Sequence, residues 1–125
     1  MSVTCNYCNK PAKLVSGRVI YPQRADLISL LFWYCKDCKA WVGCHKKTTR
    51  PLGKLATQML RELRAYVHTQ FDPLWQNGQM TRTQAYVWLA EQMQMTVEDC
   101  HIGMFNEEQC RQVMEIINAS ATVDN

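Results

Sequence analysis

Two pairs of cysteines, each with the spacing C-x2-C, lie in the first third of the chain. They are Cys5 with Cys8 and Cys35 with Cys38, and 26 residues separate the pairs. A turn of this spacing brings two thiolates onto one ion, and two such turns complete the tetrahedral four-sulfur shell that structural zinc prefers. The sequence therefore predicts one zinc ion per chain. Because four thiolates leave no open coordination position, we expect this ion to be structural rather than catalytic.

The residues around the cysteines predict short β-strands. Residues 12–15 and 18–21 flank a Ser16-Gly17 turn and predict a hairpin. Residues 32–34 and 40–42 flank the second cysteine pair as two further strands. We interpret residues 1–50 as a zinc-ribbon module.

The rest of the chain, residues 51–125, predicts a helical module. Pro73 ends the first helix, and Thr81, Thr96 and Asn106 have the properties of N-cap residues. The predicted fold class is α+β, with the N-terminal zinc ribbon packed against three to four C-terminal helices as one compact domain. Apolar residues recur at helical spacing in the first of these helices: Leu55, Met59, Leu60, Leu63, Tyr66 and Val67.

Composition excludes several classes of protein. Seven cysteines are an odd number, and the sequence shows no export signal, so metal ligation explains them better than a disulfide framework. The longest apolar run, residues 27–34, is far shorter than the roughly 20 residues of a membrane span, so we expect no membrane partner. No Gly-rich phosphate loop or Ser-His-Asp pattern is present, so we expect no small-molecule cofactor and favour a non-catalytic protein.

Charge is unevenly distributed along the chain. From Lys36 to Arg64 there are eight Lys and Arg residues against two acids, whereas the segment after residue 88 is acidic. A basic segment beside a zinc module is typical of nucleic-acid binding, although it also fits an ordinary solvated surface. The candidate phosphate contacts are Lys36, Lys39, Lys46, Lys47, Arg50, Lys54, Arg61 and Arg64, of which Lys54, Arg61 and Arg64 share one face of the predicted helix with His68.

The remaining cysteines and histidines allow two interpretations. Cys44-His45, Cys100-His101 and His68 with Asp72 one turn later offer ligands for a second metal site. Alternatively, Cys44, Cys100 and Cys110 are small buried apolar residues, which is common for free cysteine. A metal-dependent nuclease or hydrolase would use His45, His68, Asp72 and His101, although the asparagine that orients the histidines in ββα-metal nucleases is missing between His45 and His68.

Several motifs in this order resemble a family of small zinc-finger-containing proteins from bacteria and their phages, which has no established activity. Besides the cysteine pairs, they are Phe32-Trp33-Tyr34-Cys35, Val42-Gly43-Cys44-His45, Pro51-Leu52-Gly53, Phe71-Asp72-Pro73-Leu74-Trp75 and His101-Ile102-Gly103-Met104-Phe105. The resemblance implies zinc at Cys5, Cys8, Cys35 and Cys38. It also suggests a composite polar site of His45, Arg64, His68, Asp72, Arg82 and His101.

The sequence thus favours a zinc-binding module that binds nucleic acid, or a nucleic-acid-handling protein, through a basic face. The alternative is a phage-type regulator that binds a host enzyme or defence protein. A cytoplasmic location is expected, in the host cytoplasm if the chain is phage-encoded.

Overall fold

A computed structural model describes residues 2–123, and side chains as far as residue 120. The chain divides between Gln58 and Met59 into two compact units, which we call the zinc unit and the helical unit. The fold is α+β, as predicted: one antiparallel sheet lies in the zinc unit, and helices follow it. Within residues 2–123, no helix combines the length and the apolarity that a membrane span requires.

The zinc unit contains a four-stranded antiparallel sheet in which neighbours along the chain are neighbours in the sheet. Its strands are β1 (Lys13–Ser16), β2 (Leu31–Cys35), β3 (Ala40–Gly43) and β4 (Ala56–Thr57). The register pairs Lys13 with Tyr34 and Tyr34 in turn with Trp41. Three of the four predicted strands are confirmed to within a residue or two.

The prediction of a strand at residues 18–21 is wrong. Residues Gly17–Ile20 form one helical turn, α1, whose N-cap Ser16 accepts a hydrogen bond from the backbone N–H of Arg18. The Gly17 N–H donates to the carbonyl of Leu30 at 2.8 Å, so this turn is tied to the chain that enters β2. The partner of β1 is therefore β2, and not a strand that follows β1 directly.

The two faces of the sheet have different surroundings. One face carries the cysteine-rich core, where Trp33, Cys35, Ala40 and Val42 pack with Cys5, Ala12 and Leu55. On the other face, the Tyr21 ring contacts the rings of Phe32 and Trp41 edge-on, at centroid distances of 5.6 and 6.0 Å. The Tyr21 hydroxyl also accepts a hydrogen bond from the Trp41 Nε1–H at 2.9 Å. Tyr21 thus covers part of the second face.

The helical unit contains α2 (Gln58–Phe71), the short α3 (Pro73–Gln76), α4 (Arg82–Met93) and α5 (Glu107–Val123), with two 3-10 turns before α5. The predicted N-caps are confirmed. Thr81 and Gln84 form a reciprocal capping box at α4, and Asn106 accepts from the N–H of Gln109 at 2.8 Å. The buried side chains of this unit are Leu60, Val67, Phe71, Ala85, Leu89, Ala90, Cys100, Ile102, Phe105, Cys110 and Val113.

The predicted start of the first long helix is also wrong. Leu55 is buried in the core of the zinc unit, and Ala56 pairs with Trp41 as part of β4, so α2 begins only at Gln58. Met59 and Tyr66 are 73% and 52% exposed, so the apolar face of the predicted helix is narrower in the structure. Lys54 lies outside the helix, and the predicted basic face on α2 therefore loses this member.

Candidate zinc centre

The first cysteine pair lies in a tight loop before β1. The N–H of Cys5 donates to the carbonyl of Lys10, and the N–H of Asn9 donates to the carbonyl of Cys5, both at 2.8 Å. Asn9 takes a left-handed conformation with φ of 64°, which reverses the chain and which asparagine tolerates better than most residues. These bonds hold Cys5 and Cys8 on one side of the loop.

Two neighbouring side chains fasten this loop to the sheet. The Asn6 side-chain amide donates to the carbonyl of Leu55 at 3.1 Å, and the Tyr7 hydroxyl accepts from the N–H of Thr57 at 3.4 Å. The segment around β4 therefore supports the first cysteine pair, although it lies about 50 residues away in the sequence.

The second cysteine pair forms the turn of the β2–β3 hairpin. Cys35 is the last residue of β2 and pairs with Ala40, the first residue of β3. Between them, Lys39 adopts a left-handed φ of 52°, which allows the chain to enter β3 at once. The hairpin thus presents Cys35 and Cys38 in fixed positions.

The four sulfur atoms converge. The Sγ atoms of Cys5, Cys8, Cys35 and Cys38 all lie within 4.8 Å of one another, and those of Cys8 and Cys35 are 3.7 Å apart. A zinc–sulfur bond of about 2.3 Å in a tetrahedron separates the sulfur atoms by about 3.8 Å. The geometry therefore fits one zinc ion held by four cysteines, as the spacing of the cysteines predicted.

The electrostatics of the cluster also fit a cation. The neighbouring Cys8 sulfur, together with burial, raises the pKa of Cys38 to about 12. The backbone N–H of Lys10 has the opposite effect on Cys8 and lowers its pKa. Four thiolates this close cannot all be ionised without a compensating charge, and a bound Zn²⁺ supplies that charge. Backbone N–H groups add to this, since Tyr7 N–H lies 3.4 Å from the Cys5 sulfur.

The three other cysteines are free thiols away from this cluster. Cys44 packs against the core of the zinc unit, and Cys100 and Cys110 are buried in the helical unit. Burial raises the pKa of each, so they remain neutral thiols at neutral pH. Cys100 and Cys110 match the interpretation of small buried apolar residues, whereas Cys44 is only partly buried.

Part of the predicted polar site comes together in the helical unit. His68 Nδ1 lies 3.5 Å from Asp72 Oδ1, and Trp75 Nε1–H donates to the same oxygen at 3.3 Å. The Arg82 guanidinium lies 4.9 Å from the centre of the Tyr86 ring. Burial raises the pKa of Tyr86. The positive charge of Arg82 lowers this pKa and the negative charge of Asp72 raises it, so the Arg82 and Asp72 side chains both lie near the Tyr86 ring.

The other predicted polar positions have separate surroundings. Arg64 donates from Nε to the carbonyl of Phe105 at 2.7 Å, which joins α2 to the segment before α5. His101 is exposed next to a 3-10 turn, and His45 is exposed in the zinc unit. Over residues 2–123, the four cysteines are the only group of three or more His, Cys, Asp and Glu residues close enough to share an ion.

The predicted basic positions fall in both units. In the zinc unit, Lys36 and Lys39 flank the second cysteine pair, and Lys46, Lys47, Arg50 and Lys54 lie between β3 and β4; all six are exposed. Arg61 and Arg64 are half-buried on α2 in the helical unit.

The fold and the cluster define a zinc-binding module with a closed four-cysteine site. A family model described as a zinc-finger-containing domain, DUF3268, matches residues 1–120, and the chain belongs to this family. No curated protein and no solved structure matches the chain.

Proposed function

We propose that the zinc unit is a non-catalytic module that binds nucleic acid through its basic surface. The observation that carries the proposal is the charge of this unit. Residues 1–58 contain ten Lys and Arg residues and two acids, whereas residues 59–125 contain four Lys and Arg residues and nine acids. The formal charges are +8 and −5, so the small overall charge of +3 conceals two strongly unlike segments.

The basic charge of the zinc unit is available to a partner. Both of its acids are already paired, Asp26 with Arg24 at 2.7 Å and Asp37 with Lys10 at 3.2 Å. Zinc bound by four thiolates carries a charge of about −2 and leaves the unit with about +6. A compact unit with this charge attracts a phosphate backbone, and the zinc ion holds the fold that carries the lysines.

The acidic helical unit does not share this surface charge. Arg61 and Arg64 are half-buried and belong to α2, so the proposed contacts are the six exposed basic side chains of the zinc unit. These are Lys36, Lys39, Lys46, Lys47, Arg50 and Lys54.

The test is binding of fluorescein-labelled oligonucleotides, single-stranded and duplex, measured by anisotropy over a range of salt concentrations. The logarithm of the binding constant should fall with the logarithm of salt concentration, by about 0.7 to 0.9 per phosphate contacted. The double variant Lys46→Glu/Lys47→Glu should weaken binding and flatten the slope by about one to two. Arg111→Glu is the control, because it makes the same kind of charge change in the helical unit, where Arg111 is 70% exposed.

Absence of binding by the zinc-loaded protein, or affinity that does not change with salt, would contradict the proposal. Salt-insensitive capture of one stoichiometric protein partner would instead favour the regulator alternative.

A further inference from the structure

A groove of about 380 Å³ lies beside the second cysteine pair in the zinc unit, and Lys36 is the only one of its lysines that belongs to the basic segment seen in the sequence. Strands β1 and β2, helix α1 and the residues next to both cysteine pairs form its walls. Three lysines line it, Lys10, Lys13 and Lys36, with one carboxylate, Asp37, which is paired with Lys10. Its lining also includes Val15, Val19 and Tyr34.

The sheet register explains why these side chains share one place. Lys13 on β1 lies directly opposite Tyr34 on β2, and Val15 lies two residues further along the same face. This is the face on which Tyr21 packs against Phe32 and Trp41. The groove is the part of that face beside Tyr34, and Val19 of α1 forms one of its walls.

The groove combines an aromatic and apolar surface with positive charge. Tyr34, Val15 and Val19 supply the apolar part. Lys10 is paired with Asp37, but Lys13 and Lys36 are exposed and form no ion pair with any residue in the described range, 2–123. An occupant that complements these side chains has a flat ring and a negative charge, and a nucleotide has both.

The size and the aromatic residue favour an unpaired nucleotide. Small-molecule pockets measure about 300–1,000 Å³, so this groove suits one nucleotide-sized group rather than a double helix. Bases in a duplex are covered on both faces by their neighbours, whereas a base in a single strand is free to stack on an aromatic ring. Lysines beside the ring are then placed to meet the phosphates that flank the base.

We propose that this groove binds one nucleotide of a single-stranded nucleic acid, with its base against Tyr34 and its phosphates at Lys13 and Lys36. The proposal rests on the proposed function and assigns it a site that distinguishes single strands from duplexes. Lys39, Lys46 and Lys47 then bind further along the strand and contribute charge without selecting its form.

The experiment compares Tyr34→Leu with Tyr34→Phe in the zinc-loaded, full-length protein. The probes are fluorescein-labelled oligo(dT), oligo(U) and a DNA duplex of equal length. Loss of one base–aromatic stack should weaken binding to the single strands about five- to a hundredfold, whereas Tyr34→Phe should stay within about twofold of the wild type. Duplex affinity should not change. Tyr66→Leu, at a tyrosine that is 52% exposed in the helical unit, is the matched control.

The contribution of Lys13 and Lys36 is measured separately, through the salt dependence of binding. Lys13→Ala/Lys36→Ala should flatten the salt dependence of single-strand binding by about one to one and a half. The oligo(dT) and oligo(U) arms distinguish DNA from RNA as the source of the strand, and the tighter binder identifies it.

The outcomes separate the two proposals. If the wild type binds neither single strands nor duplexes, the proposed function fails. If it binds them with the expected salt dependence but Tyr34→Leu keeps full single-strand affinity and its zinc, only the groove assignment fails. If Tyr34→Leu does not fold, ultraviolet crosslinking of the wild type to an oligonucleotide that carries 5-iodouracil decides the question. Crosslinks should map to the peptide with Tyr34, and crosslinks that exclude this peptide would overturn the assignment.

Discussion

Replacement of Gly17 by alanine should destabilise the zinc unit strongly, although it adds one methyl group. A Cβ atom at Gly17 would lie 1.8 Å from the carbonyl oxygen of Leu27 and 2.6 Å from its carbonyl carbon, whereas real Cβ contacts are essentially never under 3.0 Å. The obstacle is backbone, so α1 or the segment before β2 must move by more than an ångström. Overpacking of this kind costs about 1–3 kcal/mol, and loss of the hydrogen bond from Gly17 N–H to Leu30 adds about 1 kcal/mol. We expect the free energy of unfolding to fall by about 2–4 kcal/mol.

Release of zinc to a chromogenic chelator during a urea titration measures this unit alone, because the four ligands all lie within it. With total zinc and chelator fixed, the Gly17→Ala midpoint should fall by about 1 M urea or more. The matched control is Gly43→Ala in β3, where a Cβ would meet Leu52 and Phe32 at ordinary distances of 3.5 and 3.6 Å. Gly43→Ala should stay within about 1 kcal/mol of the wild type. Equal midpoints for the two variants would refute the reasoning.

Three further predictions concern the ligands and the helices. Zinc affinity should rise at least tenfold per pH unit from about pH 6 to about pH 9, because Cys38, whose pKa is about 12 without metal, must release its proton to bind zinc. Acidification therefore weakens the stability that zinc confers. Chelator competition measures the affinity, and an affinity that does not change with pH would contradict the prediction. Thr81→Ala should lower the free energy of unfolding by about 1 kcal/mol in thermal denaturation followed by circular dichroism, whereas Thr83→Ala, exposed on the same helix outside the capping box, should not. Arg64→Met keeps the apolar stem but removes the donor to the Phe105 carbonyl, and should cost about 1.5–3 kcal/mol in the same assay; an unchanged melting temperature would show that the bond contributes nothing.

The parts of the structure that the sequence predicted are those that local chemistry specifies. The spacing of Cys5, Cys8, Cys35 and Cys38 identifies the metal site because two cysteines with two residues between them readily bind one ion. The capping box at Thr81 is likewise contained within four residues, so its pattern is sufficient for a prediction.

Tertiary pairing decided the parts that the sequence did not predict. Residues 18–21 have β-branched and aromatic side chains typical of a strand, but the bond from Gly17 to Leu30 and the cap at Ser16 favour a helical turn. The helical pattern begins at Leu55, yet the next residue, Ala56, pairs with Trp41 at the open edge of β3 and so belongs to the sheet. Propensity is a weak guide where a neighbouring strand offers hydrogen bonds.

The groove beside Tyr34 could not be predicted by counting charges along the chain. Lys10 and Lys13 precede the basic segment that begins at Lys36, and only the β1–β2 register brings them to the same place. The polar residues show the same limit, since neither spacing nor periodicity indicates that Arg64 bonds to the Phe105 carbonyl 41 residues later.

The position of the second cysteine pair also governs how the zinc unit assembles. Because Cys35 and Cys38 form the turn of the β2–β3 hairpin, half of the coordination shell needs contacts only between near neighbours in the sequence. The first pair joins across a separation of 27 residues from Cys8 to Cys35, which closes more slowly than a hairpin turn. During synthesis the first pair therefore emerges before the residues that complete the site. The four-cysteine zinc site can form only after the β2–β3 hairpin has been made.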